Sequence, residues 1–159
     1  MKESVSIPDD AVPYILLQRT ETQALVKDFR YLVPYGREIY NLVYNKFLYK
    51  LEARVRQQEI KSEYLDYLHE EYEQLKSYLP EDVDRILNVG CGIGGMNLFL
   101  EDHYRWKDAE FVLFDKSKIS ADVYYQFNED AAYYNSLERA GDVLETNGVS
   151  RQRITLLDA

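Results

Sequence analysis

The sequence predicts an α/β protein in which an N-terminal helical segment precedes a β-α-β-α-β unit, the three-stranded half of a doubly wound parallel sheet. Three observations predict this fold. Apolar residues recur at helical spacing in the first half of the chain, a glycine-rich turn follows a short apolar stretch at 86–95, and two more apolar stretches alternate with helical patterns. Pro80 ends the first pattern, so the predicted regions are 1–80 and 81–159.

The first region is predicted to be mainly helical. A short helix is expected over 21–32, and apolar side chains recur every three or four residues from Gly36 to Leu79. The polar stretch 57–63 allows either two helices or one long helix there. We expect this region to cap the sheet or to mediate dimerisation, because long apolar stripes need a partner surface.

The second region alternates between strand and helix patterns, which is typical of a parallel sheet. Its predicted elements are strands at 85–90, 109–115 and 153–159, and helices at about 94–104 and 128–148. Asn147 and Gly148 mark the end of the second helix.

The turn after the first strand contains Gly90, Gly92, Gly94 and Gly95. Glycines at this point allow a tight turn and the close approach of a ligand to the backbone, and the helix that follows presents free amide groups. The spacing Gly90-x-Gly92-x-x-Gly95 also matches the dinucleotide-binding fingerprint. A glycine-rich connector with no ligand is the simpler alternative for such a turn.

Acidic residues end the second and third predicted strands. Asp115 closes the second strand, where a carboxylate can accept hydrogen bonds from ribose hydroxyls or can merely cap a turn. Asp158 closes the third strand, at the carboxyl edge of the sheet where open α/β proteins bind ligands. Three successive strand ends therefore carry polar features suited to one ligand.

The stretches ILNVGCGIGG, FVLFDKS and ITLLDA together resemble the class I S-adenosylmethionine-dependent methyltransferases. The resemblance implies that S-adenosylmethionine is the cofactor and that the glycine turn wraps its methionine part. It implies ribose binding by Asp115 and adenine binding by Asp158. An acidic residue is usual where this chain has Asn88. The implied cofactor-binding residues are Asn88, Gly90, Cys91, Gly92, Gly94, Asp115, Lys116 and Asp158.

The resemblance covers residues 85–159 and implies that the strands which handle the methyl acceptor are missing. We therefore expect a fragment, or a first strand whose open edge is covered by the N-terminal helices or by a second copy of the chain. We also expect no substrate turnover by this chain alone. No catalytic base is identified, since His69 and His103 are better interpreted as packing or surface residues.

Three alternatives share these residues. The spacing of Gly90, Gly92 and Gly95 together with Asp115 also fits an NAD-dependent oxidoreductase. An aminopropyl-type transferase would use the same fold and a related cofactor, and a non-catalytic Rossmann-like module could serve binding or assembly. Cys91 and Asp158 favour the methyltransferase pattern.

Charge and composition restrict the partners. The formal net charge of −9 makes nucleic acid an unlikely partner, because nonspecific binding to phosphates needs excess positive charge. No long apolar segment and no signal peptide is present, so we expect a cytoplasmic protein without a membrane partner. Cys91 is the single cysteine, and no residue pattern predicts a metal site.

Overall fold

The computed structural model describes residues 5–19, 22–24, 48–119 and 134–159. Short 3-10 turns lie at Asp9–Ala11, Lys76–Tyr78 and Arg151–Arg153. The helices and strands, numbered in chain order, are α1 (Val12–Gln18), α2 (Tyr49–Val55), α3 (Gln57–Leu75), β1 (Arg85–Val89), α4 (Gly95–His103), β2 (Glu110–Asp115), α5 (Leu137–Thr146) and β3 (Ile154–Asp158).

The three strands form a parallel sheet in the order β1-β2-β3, as the sequence predicts for the α/β region. The register pairs Asn88 with Leu113 and Leu113 with Leu156, so these residues share one face of the sheet. Helix α5 packs against β2 and β3, and Asn88 of β1 donates a hydrogen bond to Asn97 of α4. Phe111 and Leu113 are fully buried on this face. The carboxyl ends of the strands consequently meet at one edge, beside the glycine turn.

The opposite face of the sheet carries apolar side chains that remain accessible. Leu87 and Val89 of β1 are 62% and 66% exposed, and Leu157 of β3 is 44% exposed. Within the described residues β1 pairs with β2 alone, which leaves its other edge without a strand. The expected position of the first strand at the end of this sheet is therefore confirmed for the described part of the chain.

Helix α1 was not predicted, although its sequence contains a recognisable start signal. Pro13 lies in its first turn, where the missing proline N–H costs nothing and the fixed φ suits a helix. Val12, Ile15 and Leu16 are buried on its inner face. The helix expected over 21–32 lies mostly outside the described residues, and residues 22–24 are not α-helical.

The polar stretch 57–63 lies inside α3, and the two-helix alternative is the one observed. The break falls at Arg56, whose backbone leaves helical geometry with φ −104° and ψ 21°. The buried carboxylate of Glu52 accepts hydrogen bonds from the Arg56 guanidinium at 2.5 Å and from the Ala24 amide at 2.7 Å. This contact anchors the junction of α2 and α3 to the segment 22–24. The expected helix over 36–47 lies outside the described residues.

One continuous set of buried apolar side chains joins α1 and α3 to α4 and the sheet. It contains Leu16 of α1, Tyr64 of α3, Phe99 of α4 and Leu113 of β2. The described helices of the first region thus pack against the parallel sheet unit, as expected from their apolar stripes. The sequence also suggests Tyr35 and Arg37 as residues that could cover a cofactor cleft, and both lie outside the described residues.

The start of α5 corrects the sequence-based boundary of 128 for the second helix of the sheet unit. The helix begins at Leu137, and Ser136 in extended conformation accepts the Arg139 N–H at 3.4 Å as its N-cap. Residues 134–136 precede the helix in non-helical conformation, and 128–133 lie outside the described residues. The predicted stop is confirmed, since Gly148 has a φ of +91° and Val149 donates back to the Leu144 carbonyl.

Within the described ranges no helix combines the length and apolar character that crossing a membrane requires. The same residues contain no group of three or more His, Cys, Asp or Glu side chains arranged to hold a metal ion.

Candidate functional site

A cavity of about 420 Å³ lies where α1 and α3 approach the carboxyl ends of β1 and β2. Its volume is within the range of about 300–1,000 Å³ that is typical of sites for small organic ligands. The structure brings part of the sequence-predicted site together here, since the residues that line the cavity include Asn88, Gly90, Cys91, Gly92 and Asp115.

The glycines of the turn after β1 are needed for two different reasons. Gly90, Gly92 and Gly94 all have positive φ, at +67°, +55° and +79°. A Cβ atom on Gly94 would lie 2.9 Å from Leu144 Cδ1, so Gly94 allows α5 to pack on the turn. A Cβ atom on Gly90 would meet no atom within 4 Å. Gly90 is thus the position at which the turn leaves backbone exposed to free space in the cavity.

Gly95, the first residue of α4, is covered by α3. A Cβ atom on it would lie 2.3 Å from the Tyr64 hydroxyl oxygen and 2.6 Å from Leu68 Cδ1. Burial raises the pKa of the Tyr64 hydroxyl well above its ordinary value, while a hydrogen bond from the Gly95 backbone acts in the opposite direction. At Gly95 the first turn of α4 is therefore covered by Tyr64 and Leu68.

Asp115 links the end of β2 to the glycine turn. Its Oδ2 accepts the Gly92 N–H at 2.9 Å, and its Oδ1 accepts the Lys116 N–H at 2.7 Å. A carboxylate oxygen has two lone pairs, so each oxygen can accept one further hydrogen bond. Asp115 can therefore hold the turn and still accept two hydroxyl groups of a ligand in the cavity.

Gly94, Lys116 and Asp158 are not among the residues that line the cavity. Asp158 stands opposite Asp115 in the strand register, is exposed, and accepts the Ser117 N–H at 2.8 Å. The Lys116 ammonium donates to the Ala159 carbonyl oxygen. Asp158 and Lys116 thus lie at the same sheet edge as Asp115, outside the cavity wall.

Asn88 and Cys91 both line the cavity, but neither is an anionic group. The Asn88 amide donates to Asn97 Oδ1 at 3.2 Å, which ties β1 to the first turn of α4. Burial and the nearby charge of Asp115 raise the pKa of the Cys91 thiol to about 12. The thiol is therefore protonated at neutral pH and is not a reactive nucleophile.

The sequence did not reveal the wall contributed by α1, α3 and the segment before α5. Gln18 Nε2 donates to the Tyr134 carbonyl at 2.7 Å and to Asn135 Oδ1 at 3.2 Å. The Asn135 amide nitrogen is buried and, within the described residues, makes no hydrogen bond of standard geometry. The Asn135 side chain acts to lower the pKa of the neighbouring Cys91 thiol. The protonated thiol is only a weak hydrogen-bond acceptor.

An ion pair forms the remaining polar part of this wall. The Arg19 guanidinium donates from both terminal nitrogens to the two carboxylate oxygens of Glu71, at 2.6 and 2.8 Å. Fifty-two positions separate these residues in the chain, and no local pattern marks either one. Their pairing depends on how α1 packs against α3.

The two histidines lie away from the cavity lining, in agreement with a packing role. The His69 ring stacks on Phe99 with ring centroids 6.0 Å apart. His103 Nδ1 lies 2.8 Å from the Tyr72 hydroxyl oxygen.

Comparison with known proteins gives no match to a family model, to a curated protein or to a solved structure.

Proposed function

We propose that the cavity binds S-adenosylmethionine, with the ribose hydroxyls on Asp115, and that the chain is a methyltransferase or the cofactor-binding part of one. One observation carries the proposal: the open backbone of Gly90 and the carboxylate of Asp115 line the same cavity. Under this proposal the parallel sheet is the first half of a Rossmann-like fold, and the compartment is the cytoplasm.

The chemistry of the cavity fits such a cofactor. Within the described residues the buried Asn135 amide nitrogen is a donor without an acceptor of standard geometry, and adenosine offers several acceptors. The carboxylates of Asp115 and Glu71 suit a cationic sulfonium compound. When bound, the cofactor supplies an electrophilic methyl group. The chain's own residues bind and orient it, and keep the adjacent Cys91 thiol protonated.

The environment of Gly95 favours this cofactor over a dinucleotide. A dinucleotide places its pyrophosphate on the amide groups at the start of the helix after the glycine turn. Here Tyr64 and Leu68 occupy the space at that helix start. A cofactor without a phosphate group does not need the amide groups at this helix start. The oxidoreductase alternative is therefore less compatible with the described packing.

Calorimetric titration tests the proposal with S-adenosylhomocysteine, NAD and an Asp115→Asn variant. We expect binding of S-adenosylhomocysteine and no binding of NAD. Asp115→Asn replaces an acceptor by a donor facing the hydroxyls, so the affinity should fall by about 1–3 kcal/mol, roughly five- to 150-fold. Asp84→Asn is the matched control, because Asp84 is exposed and does not line the cavity. Equal affinity of a folded Asp115→Asn variant and the unaltered protein would contradict the ribose assignment.

A further inference from the structure

We propose that the Arg19–Glu71 pair is the recognition site for a zwitterionic amino-acid group, with Arg19 taking the α-carboxylate and Glu71 the α-ammonium. The inference rests on the proposed function, because it assigns these residues to the methionine part of the cofactor. It also selects the class of ligand, since compounds without an amino-acid group would leave the pair unused.

The geometry of the Arg19–Glu71 pair allows a ligand carboxylate to replace Glu71 on the Arg19 guanidinium. The two hydrogen bonds between the guanidinium fork and the carboxylate are parallel and bidentate, the geometry in which Arg also binds a free carboxylate. The side chains are 26% and 42% exposed, and both residues line the cavity, so a ligand can reach them. Arg19 and Glu71 together are a charge-matched site rather than an isolated surface charge.

Charge balance explains why a zwitterion is the preferred occupant. Without ligand, Arg19 and Glu71 satisfy each other. An α-amino acid group brings one negative and one positive charge, so one ion pair is replaced by two and no charge is left without a partner. A ligand that carries only an ammonium group would bind Glu71 but leave Arg19 with a weakened interaction. A neutral ligand would leave the existing pair in place.

The surroundings separate this site from the ribose position. The pair belongs to the α1–α3 wall, and its two charges act in opposite directions on the pKa of the buried Tyr64 hydroxyl. Asp115 belongs to the strand-end wall and acts on Cys91 instead. Leu68 and Met96 also line the cavity and offer apolar surface to the methylene groups of an amino-acid side chain.

The test compares two ligands that share the adenosine part. S-adenosylhomocysteine carries the amino-acid group, and 5′-methylthioadenosine lacks it. Calorimetry should give a dissociation constant at least tenfold lower for S-adenosylhomocysteine in the unaltered protein. Arg19→Gln should weaken binding of S-adenosylhomocysteine by about 10–100-fold and change binding of 5′-methylthioadenosine by less than twofold. Arg19→Lys keeps the charge but loses the forked guanidinium, so its affinity for S-adenosylhomocysteine should lie between that of Arg19→Gln and that of the unaltered protein. It serves as the test if Arg19→Gln does not fold.

Arg85→Gln is the matched control, because Arg85 also pairs with a carboxylate, that of Glu110, but outside the cavity. It should change the affinity for neither ligand. An equal loss for both ligands in the Arg19 variants, or no loss for either, would show that the pair is only structural while leaving the ribose assignment intact. If the unaltered protein binds neither ligand, the proposed function fails and this inference fails with it.

Discussion

Substitution of Gly95 by alanine should reduce the stability of the protein through a clash between α3 and α4. The new Cβ atom would lie 2.3 Å from the Tyr64 hydroxyl oxygen, 2.6 Å from Leu68 Cδ1 and 2.8 Å from Tyr64 Cε1. Tyr64 is buried, so its ring cannot move aside without disturbing the core. A contact as short as 2.3 Å places the overpacking cost at the upper end of the usual range or above it, about 2–4 kcal/mol, and the better helix propensity of alanine offsets at most about 1 kcal/mol.

We expect a net loss of about 1–3 kcal/mol for Gly95→Ala, which corresponds to a decrease in melting temperature of roughly 2–12 °C for a chain of this size. The corresponding change at Gly90 should act differently. A Cβ atom there meets no protein atom within 4 Å, so the cost is the strain of the left-handed backbone, about 1–2 kcal/mol. The same Cβ atom would take up space where the ligand is proposed to approach, so the affinity for S-adenosylhomocysteine should fall.

The assay is urea unfolding followed by circular dichroism, together with calorimetric titration of each folded variant. Gly148→Ala is the control for backbone strain, because Gly148 has a φ of +91° and open space around it but does not line the cavity. Gly90→Ala should have the same stability as Gly148→Ala but bind S-adenosylhomocysteine more weakly than Gly148→Ala does. Unchanged stability of Gly95→Ala would refute the packing argument, and unchanged affinity of Gly90→Ala would refute the close-approach argument.

Two further predictions concern the thiol and the sheet. Burial raises the pKa of Cys91 from 9.0 to about 12, so its thiolate fraction at pH 8 is about a thousandfold below that of an unfolded chain. Iodoacetamide should therefore alkylate the folded protein at least about a hundredfold more slowly than the urea-unfolded protein, with the rate rising towards pH 12; equal rates would contradict the burial of the thiol. The open edge and exposed apolar side chains of β1 lead us to expect that two copies of the protein associate there. Leu87→Lys should weaken this self-association by about tenfold in sedimentation velocity, because a charged side chain opposes burial of the strand. A protein that is monomeric at all concentrations before the substitution would refute this expectation.

The sequence by itself determined the parallel sheet unit. Each of the three strands is a short apolar stretch that ends in a glycine turn or an acidic residue, and this information is local in the chain. The strands are Arg85–Val89, Glu110–Asp115 and Ile154–Asp158. Positive φ at Gly90 is a property of the backbone at one position, so the glycine pattern predicted it directly. Helix boundaries were less certain, because Ser136 as N-cap competes with many earlier polar residues that fit the same pattern.

Only the tertiary structure decided what surrounds the glycine turn. In the sequence Gly95 fitted both the dinucleotide-binding fingerprint and a glycine-rich connector with no ligand, and the packing of α3 on α4 brings Tyr64 onto it. The pairs Arg19–Glu71 and Gln18–Asn135 join residues 52 and 117 positions apart. Such contacts depend on how whole helices pack against one another, and a linear pattern of hydrophobic and polar residues contains no record of that geometry.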